Sequence, residues 1–552
     1  MRIVKLTYLV AIAAFTLASC SSVKNLAVPT METAVSITAK KTPIGEEEFN
    51  HWAHADLATD TIPGMSLDKA YKFLEGKKGE TVIVGVIDSG IDINHEDLKD
   101  NIWSNPKEIA GNGIDDDKNG FIDDIHGWNF LGGDGVGAPE QLEITRLYAK
   151  YKNRFEGKTL ETIGADEKAA FEDYQKYLKA YEASGGRHFQ TMDRLAQIEG
   201  NFASVKTFLG KDSFTIEDLQ AVKTDDQKLQ AQIGDILSLL GRGLDEAAFI
   251  EYYETQKKNK NYDLTFDGRA IVGDNPEDIT DTTYGNGNVI GSTESESHGT
   301  HVSGIILATR NNDIGLNGVA TNAKLMSVRA VPDGDERDKD VALAIRYAAD
   351  NGAKVVNMSF GKNWSPNSEW VFDAIKYAEK KDVLLVHAAG NDSKDIDTKS
   401  NWPNDSEDKV TEFADNVLTI GAMSSNYDEN LPATFSNYGK LNVDVFAPGV
   451  QIYSTIPNNE YARYNGTSMA SPEVAGIAAL VRSYYPQLSA SQVKHIIMNS
   501  GTEINMEVLL PGSKSQENPN GKKVQFSELS VSGKVVNAYN ALILADKMVN
   551  KS

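Results

Sequence analysis

The chain has 552 residues and one cysteine, with 79 acidic against 55 basic side chains and a formal charge of -24. Hydrophobic residues at 40% and charged residues at 24% are ordinary globular usage, which excludes wholesale disorder and a polytopic membrane protein. The acidic excess, unbroken by any long Lys/Arg block, argues against nucleic acid as a partner, because phosphate binding relies on clustered cations. A lone cysteine excludes an intramolecular disulfide.

Arg2 and Lys5 precede an apolar run from Leu6 to Leu17, which closes with Leu17-Ala18-Ser19-Cys20. A basic start, a short apolar stretch and small residues describe an export signal over residues 1–19, too short to span a bilayer comfortably. The ending resembles a bacterial lipobox. That likeness makes Cys20 the expected lipidation site and residues 20–50 a lipidated tether. Membrane contact would then run through the N-terminal lipid. Ser21 after the cysteine points to the outer membrane, on its periplasmic side or at the cell surface. The short stretch between Cys20 and the ordered lead-in at Trp52, about 30 residues, is expected to hold no further folded segment.

A short helix is expected over Leu67 to Leu74, followed by Thr81-Val82-Ile83-Val84-Gly85-Val86-Ile87, a β-branched run without alternation that ends at Asp88. Such a run suits a parallel strand buried on both faces. Next, Asp115-Asp116-Asp117-Lys118-Asn119-Gly120-Phe121-Ile122-Asp123-Asp124 places oxygen ligands at alternate positions with glycine sixth, the opening of an EF-hand-type loop. Its twelfth position is His126. A structural calcium would therefore take Asp115, Asp117, Asn119, the Phe121 carbonyl and Asp123, with Asp124 as the closing ligand; a solvated acidic loop is the alternative.

From about Pro139 to Leu264 the texture changes. Leu147, Tyr148, Tyr151 and Phe155 recur at helical spacing, as do Phe171, Tyr174, Leu178 and Tyr181, then Leu229, Ile233, Ile236, Leu237 and Leu240. These stripes predict a helical insert over residues 139–264 whose aromatics form its own core. Lying beside the cleft, it would act as a lid or exosite. Beyond it, apolar runs at Lys324–Val331, Lys354–Met358, Val383–Ala388 and Val417–Ile420 alternate with helical patterns at Asp340–Asp350 and Ser368–Lys380. Alternation of this kind implies a mostly parallel sheet covered on both faces. Asp88, Ser359 and Asn391 each follow a strand, so they can meet along the edge where ligands bind in such sheets.

Three local sequences carry the chemistry: Val86-Ile87-Asp88-Ser89-Gly90, Ser297-His298-Gly299-Thr300-His301, and Asn465-Gly466-Thr467-Ser468-Met469-Ala470-Ser471-Pro472. Singly, an aspartate after a strand is a turn former and a serine before a helix is an N-cap. Together, in the order Asp, His, Ser, they resemble the subtilisin family, itself the standard example of that order. The resemblance implies an α/β three-layer subtilisin-like fold with a mostly parallel central sheet, its catalytic domain split into residues 51–138 and 265–548. It implies a serine endopeptidase acting on protein or peptide substrates without a catalytic cofactor, with Asp88, His298 and Ser468 as triad. The Asn391 amide and the Ser468 backbone N–H would form the oxyanion hole. Ser359, Phe360 and Gly361 would pair with an extended substrate, opposite Ala388, Ala389 and Gly390 across the first specificity pocket. A weaker second cation site would use Asp97 and Asn312. His301 would be a packed neighbour, and Glu473 departs from the neutral residues usual after that proline. A catalytically silent peptide-binding lipoprotein of the same fold is the alternative, and the intact trio weighs against it.

Overall fold

The computed structural model describes residues 44–133, 138–242, 244–293 and 296–550. The export signal, Cys20 and most of the tether lie outside the described residues. The apolar run after Thr81 forms β1 (Val82–Asp88), with Val84 and Val86 in the core on one face and Ile83 and Ile87 packed on the other. That two-faced burial is why the run carries no polar alternation.

The remaining strands are β2 (Gly127–Asn129), β3 (Ala323–Arg329), β4 (Val355–Met358), β5 (Leu384–Ala388), β6 (Val417–Met423), β7 (Val445–Pro448), β8 (Ile452–Ile456), β9 (Glu460–Tyr464), β10 (Thr502–Glu503), β11 (Glu507–Leu509), β12 (Lys523–Gln525) and β13 (Lys534–Val535). The main sheet runs β10-β13-β7-β6-β5-β4-β1-β3-β2, while β8 with β9 and β11 with β12 form two small ribbons. Within the main sheet every pairing except β10 with β13 is parallel. After β1 the chain returns beside it as β3 and then passes to its other side as β4. The order reverses at β1, and in open sheets of this kind ligands bind beyond the carboxyl end of the strand at such a reversal. Helices Ser297–Leu307, Thr467–Tyr484, Ala490–Ser500 and Ala538–Asn550 cover one face. Asp338–Asp350 and Ser368–Lys380 cover the other. The result is the three-layer α/β arrangement expected from the strand and helix patterns.

Between β2 and β3 lie helices Glu143–Phe155, Lys168–Leu209, Ile216–Gln220, Gln227–Leu240 and Glu246–Lys258. Side chains of Thr215, Asp226 and Asp245 cap the starts of the last three, and Gly210, at φ 63°, closes the 42-residue helix. The aromatic stripes pack against one another: Tyr148, Phe155, Phe171, Tyr174 and Tyr181 form one cluster, joined by Trp364 of the α/β body. A second cluster gathers Leu195, Ile198, Phe202, Ile233, Ile236 and Phe249. Entry and exit are tied together, since Leu142 N–H donates to the Asn261 carbonyl at 3.0 Å and Thr145 Oγ1 donates to the same oxygen at 2.6 Å.

Buried charge fixes these helices to the body. Lys362 Nζ pairs with Glu143 at 2.8 Å and Asp338 at 2.9 Å, and Arg146 pairs with Glu143 at 2.6 Å. Burial alone would raise the Glu143 carboxyl, but Lys362 and Arg146 hold it down at about 2. Glu473 has no such help. It is buried in the Thr467–Tyr484 helix beside Trp52 and His54, one of its oxygens lacks a hydrogen-bond partner among the described residues, and burial pushes its carboxyl well above the usual range. Because the folded state keeps that proton, stability drains away as pH rises beyond the ordinary glutamate value.

Candidate active site

Asp88 is the last residue of β1 and is 1% exposed. Its Oδ1 accepts the Ser89 N–H at 2.8 Å and lies 2.8 Å from His298 Nδ1. That contact spans 210 residues of sequence and depends on two glycines. Gly90 holds φ 141° on the turn, and a Cβ at Gly299 would collide with the Gly90 carbonyl, so the Ser297–Leu307 helix can sit directly on that turn. Arg329, fully buried at the end of β3, braces the same turn by donating to the Ser89 carbonyl at 2.6 Å and pairing with Glu296 at 2.8 Å.

Ser468 stands in the first turn of the Thr467–Tyr484 helix. Pro472, four residues on, has no N–H for the Ser468 carbonyl. Ser359 Oγ fills the gap, donating to that carbonyl at 2.9 Å, while Ser468 Oγ donates to the Ser359 carbonyl at 3.1 Å. The hydroxyl therefore faces β4's end and is not hydrogen-bonded to His298 in this structure. Asn357, on β4, supports the exchange by donating to Ser359 Oγ at 2.9 Å and accepting from Ser471 at 2.8 Å.

Asn391 is oriented by two donors: its Oδ1 accepts Thr467 N–H at 2.9 Å and Thr467 Oγ–H at 3.0 Å. Its NH2 group has no hydrogen-bond partner among the described residues. Gly390 turns the chain at φ 99°, and a Cβ there would stand 2.5 Å from the Asn437 amide nitrogen, which donates to the Ala389 carbonyl at 2.8 Å. Ala388 and Ala389 are buried beside it. Across from them, Phe360 O receives His387 Nε2–H at 2.9 Å, and the Lys362 and Trp402 backbones pair with each other. The Gly361 peptide groups between those contacts make no backbone hydrogen bond among the described residues.

His301 is set apart from His298. It is fully buried, stacks on Tyr464 at 4.3 Å, and its Nε2 lies 3.1 Å from both the Ile452 and Ala462 carbonyls. Burial lowers its pKa to about 3, so it stays neutral and structural.

In the acidic loop, carboxylate oxygens of Glu108, Asp115 and Asp117 come within 4.8 Å of one another, and one buried Glu108 oxygen has no hydrogen-bond partner among the described residues. Glu108 lies outside the span that sequence spacing marks. Asp123 is turned away from them at φ 54°, its oxygens accepting the amides of Gly111, Asn112 and Gly113. Asp124 accepts from Asn105, Asn119 and Tyr347, and Asn119 Oδ1 accepts the Phe121 amide. Asp97 and Asn312 are brought together as acceptor and donor, with Asn312 Nδ2 on Asp97 Oδ1 at 2.7 Å. Other residues the motifs did not single out are Thr467, Asn357, Asn437 and Arg329. The first two and Arg329 lie within runs or motifs marked in the sequence, whereas Asn437 reaches the site only through the fold.

Residues 79–522 match the subtilase family model (Peptidase S8). The chain belongs to the subtilase family. It is 41% identical over 218 residues to the thermophilic serine proteinase of Bacillus sp. (strain AK1), covering 39% of this chain and 48% of that protein. It is 37% identical to subtilisin DY of Bacillus licheniformis, covering 39% of this chain and 73% of that one. Thermitase of Thermoactinomyces vulgaris is 36% identical over 281 residues, with 50% and 88% covered. The chain thus spans about half the length of the first of these relatives and more of the other two.

Burial pulls the His298 pKa down, but the charge and hydrogen bond of Asp88 push it up by more, so the net shift is upward. Its contribution to stability is full below the unfolded value and is lost as pH rises through the raised one. Asp88→Asn is expected to lower the His298 titration midpoint followed by NMR. An unmoved midpoint would place the source of the shift elsewhere.

Proposed function

We propose that the chain is a serine endopeptidase in which Ser468 attacks the peptide carbonyl, His298 takes its proton and Asp88 holds the imidazole. The observation that carries this reading is the 2.8 Å contact between Asp88 and His298 at the carboxyl end of β1. A carboxylate on Nδ1 leaves Nε2 as the proton acceptor and stabilises the imidazolium once formed. Rotation of Ser468 about its Cα–Cβ bond redirects the hydroxyl from the Ser359 carbonyl toward that nitrogen, a tightening normal on substrate binding. The tetrahedral oxygen then meets the free Asn391 NH2 and the Ser468 N–H at a helix start, where the dipole favours negative charge. Loss of a side-chain donor of this kind raises the barrier by about 2.7–4 kcal/mol, a magnitude known from subtilisin. The unpaired Gly361 peptide groups suit an extended substrate lying as an added strand, with its side chain between Phe360 and Ala388–Gly390.

A fluorophosphonate probe is expected to label the folded protein, and Ser468→Ala to abolish both labelling and casein cleavage. A folded wild-type sample that takes no label would favour the silent peptide binder.

We also propose a structural calcium at Glu108, Asp115 and Asp117. Three converging carboxylates repel one another; the amides of Asp117, Asn119 and Gly120 and the Lys107 ammonium 3.9 Å from Asp117 offset part of that repulsion, and a calcium ion, which takes hard oxygen donors, would offset the rest. Such an ion would brace a loop that no disulfide can hold. Calcium at a hundredfold excess over its Kd should raise unfolding free energy by about 2.7 kcal/mol. Chelator should reverse that gain in a thermal melt, and Glu108→Gln should remove it; a melt indifferent to calcium would dismiss the site.

The lipobox-like Leu17-Ala18-Ser19-Cys20 supports export and lipid anchoring of the mature protein at the outer membrane. Metabolic labelling with a fatty acid should mark the wild type and spare Cys20→Ala. Equal labelling of both would refute the anchor.

A further inference from the structure

The helical insert and the candidate cleft share a groove of about 440 Å³ lined by Lys176 and Tyr177 from the 42-residue helix, Trp364 from the segment after Gly361, and Lys394, Lys399 and Trp402 from the opposite side. Three lysines and no carboxylate line it, in a chain whose net charge is -24. Lys176 has no ion-pair partner among the described residues and rests over Trp364, 5.0 Å from the ring centroid. Lys399 is exposed and likewise unpaired there. Lys394 is held by Asn363 at 2.6 Å and ion-paired with Asp392 at 3.1 Å. Tyr177 packs edge-on against Trp364 at 5.6 Å, so the insert supplies one wall outright. The groove adjoins the candidate substrate edge: Lys362 and Trp402 pair directly after Gly361, and Asn363 and Trp364 continue into it.

We propose that this groove is an exosite for an acidic stretch of the protein substrate, flanking the segment held at Gly361. The proposal rests on the endopeptidase reading and adds the insert's role to it. Exposed cations left unpaired in an acidic protein attract anionic partners, and their pull is screened by salt. The aromatic rings give the bound segment an apolar floor that lysines alone would not.

The test uses the full chain and two sets of fluorogenic peptides with one cleavable core, bearing either neutral extensions or runs of glutamate at the amino or carboxyl end. For at least one glutamate placement, kcat/KM should exceed the neutral peptide's by roughly tenfold, about two- to fivefold per unpaired lysine. The gain should appear in KM, vanish in 1 M salt, and vanish in the Lys176→Glu/Lys399→Glu double variant while the neutral peptide is cleaved as before. Anisotropy of the labelled glutamate peptide on Ser468→Ala, with and without the two lysine changes, reads the groove independently of turnover. Equal kcat/KM and equal binding for acidic and neutral peptides would overturn the exosite. Failure to cleave any peptide, with lysine-dependent binding intact, would overturn the endopeptidase reading and leave the groove standing.

Discussion

The close seat of the Ser297–Leu307 helix on the Gly90 turn is the contact on which the site depends. A side chain at Gly299 would strike the Gly90 carbonyl, and one at Gly90 would strike the Ile290 carbonyl. Only that approach lets an imidazole in a helix's first turn reach a carboxylate at a strand's end. The carboxylate is buried and the imidazole is 39% exposed, so the pair has one side fixed by protein and the other open to a reactant. Arg329 and Glu296 surround the same turn as a buried ion pair, which resists movement because separating them would leave a charge uncompensated in a dry site.

A second device sets Ser468. Proline in an early helical turn ordinarily leaves a carbonyl wanting a donor. Here the donor is Ser359, and the return bond from Ser468 ties the nucleophile's helix to the end of β4. The two segments proposed to handle substrate and chemistry are thereby one hydrogen-bonded unit. Thr467 extends that unit to Asn391.

Much of the sheet was legible because burial on both faces demands uninterrupted apolar strands: the runs ending at Asp88, Met358 and Ala388 appear as β1, β4 and β5 within a residue or so of their expected limits. The helical stripes of the insert were equally plain, since Tyr148, Phe171 and Ile233 repeat at the spacing that puts them on one face. What escaped was short or non-local. The three residues of β2 and the two each of β10 and β13 are too brief to show a period. Glu108 lies beyond the motif that marks its acidic loop, and Asn437 reaches Gly390 only after the sheet has assembled. Of the motif's own oxygens, Asp123 went elsewhere because the backbone at Gly111–Gly113 offered it three amide donors that spacing cannot foresee.

The insert leaves and re-enters the body side by side, where Leu142 and Thr145 share the Asn261 carbonyl and Gln141 donates to the Asp263 carbonyl. Ring closure of a chain grows more expensive only with the logarithm of its length, so a loop whose ends already meet can lengthen, shrink or be exchanged at small entropic penalty. Among the described residues no strand of the main sheet passes through the excursion. Evolution could therefore have acquired this module whole, and a grafted hairpin joining the same two backbone positions would leave β1 and β3 in unaltered register.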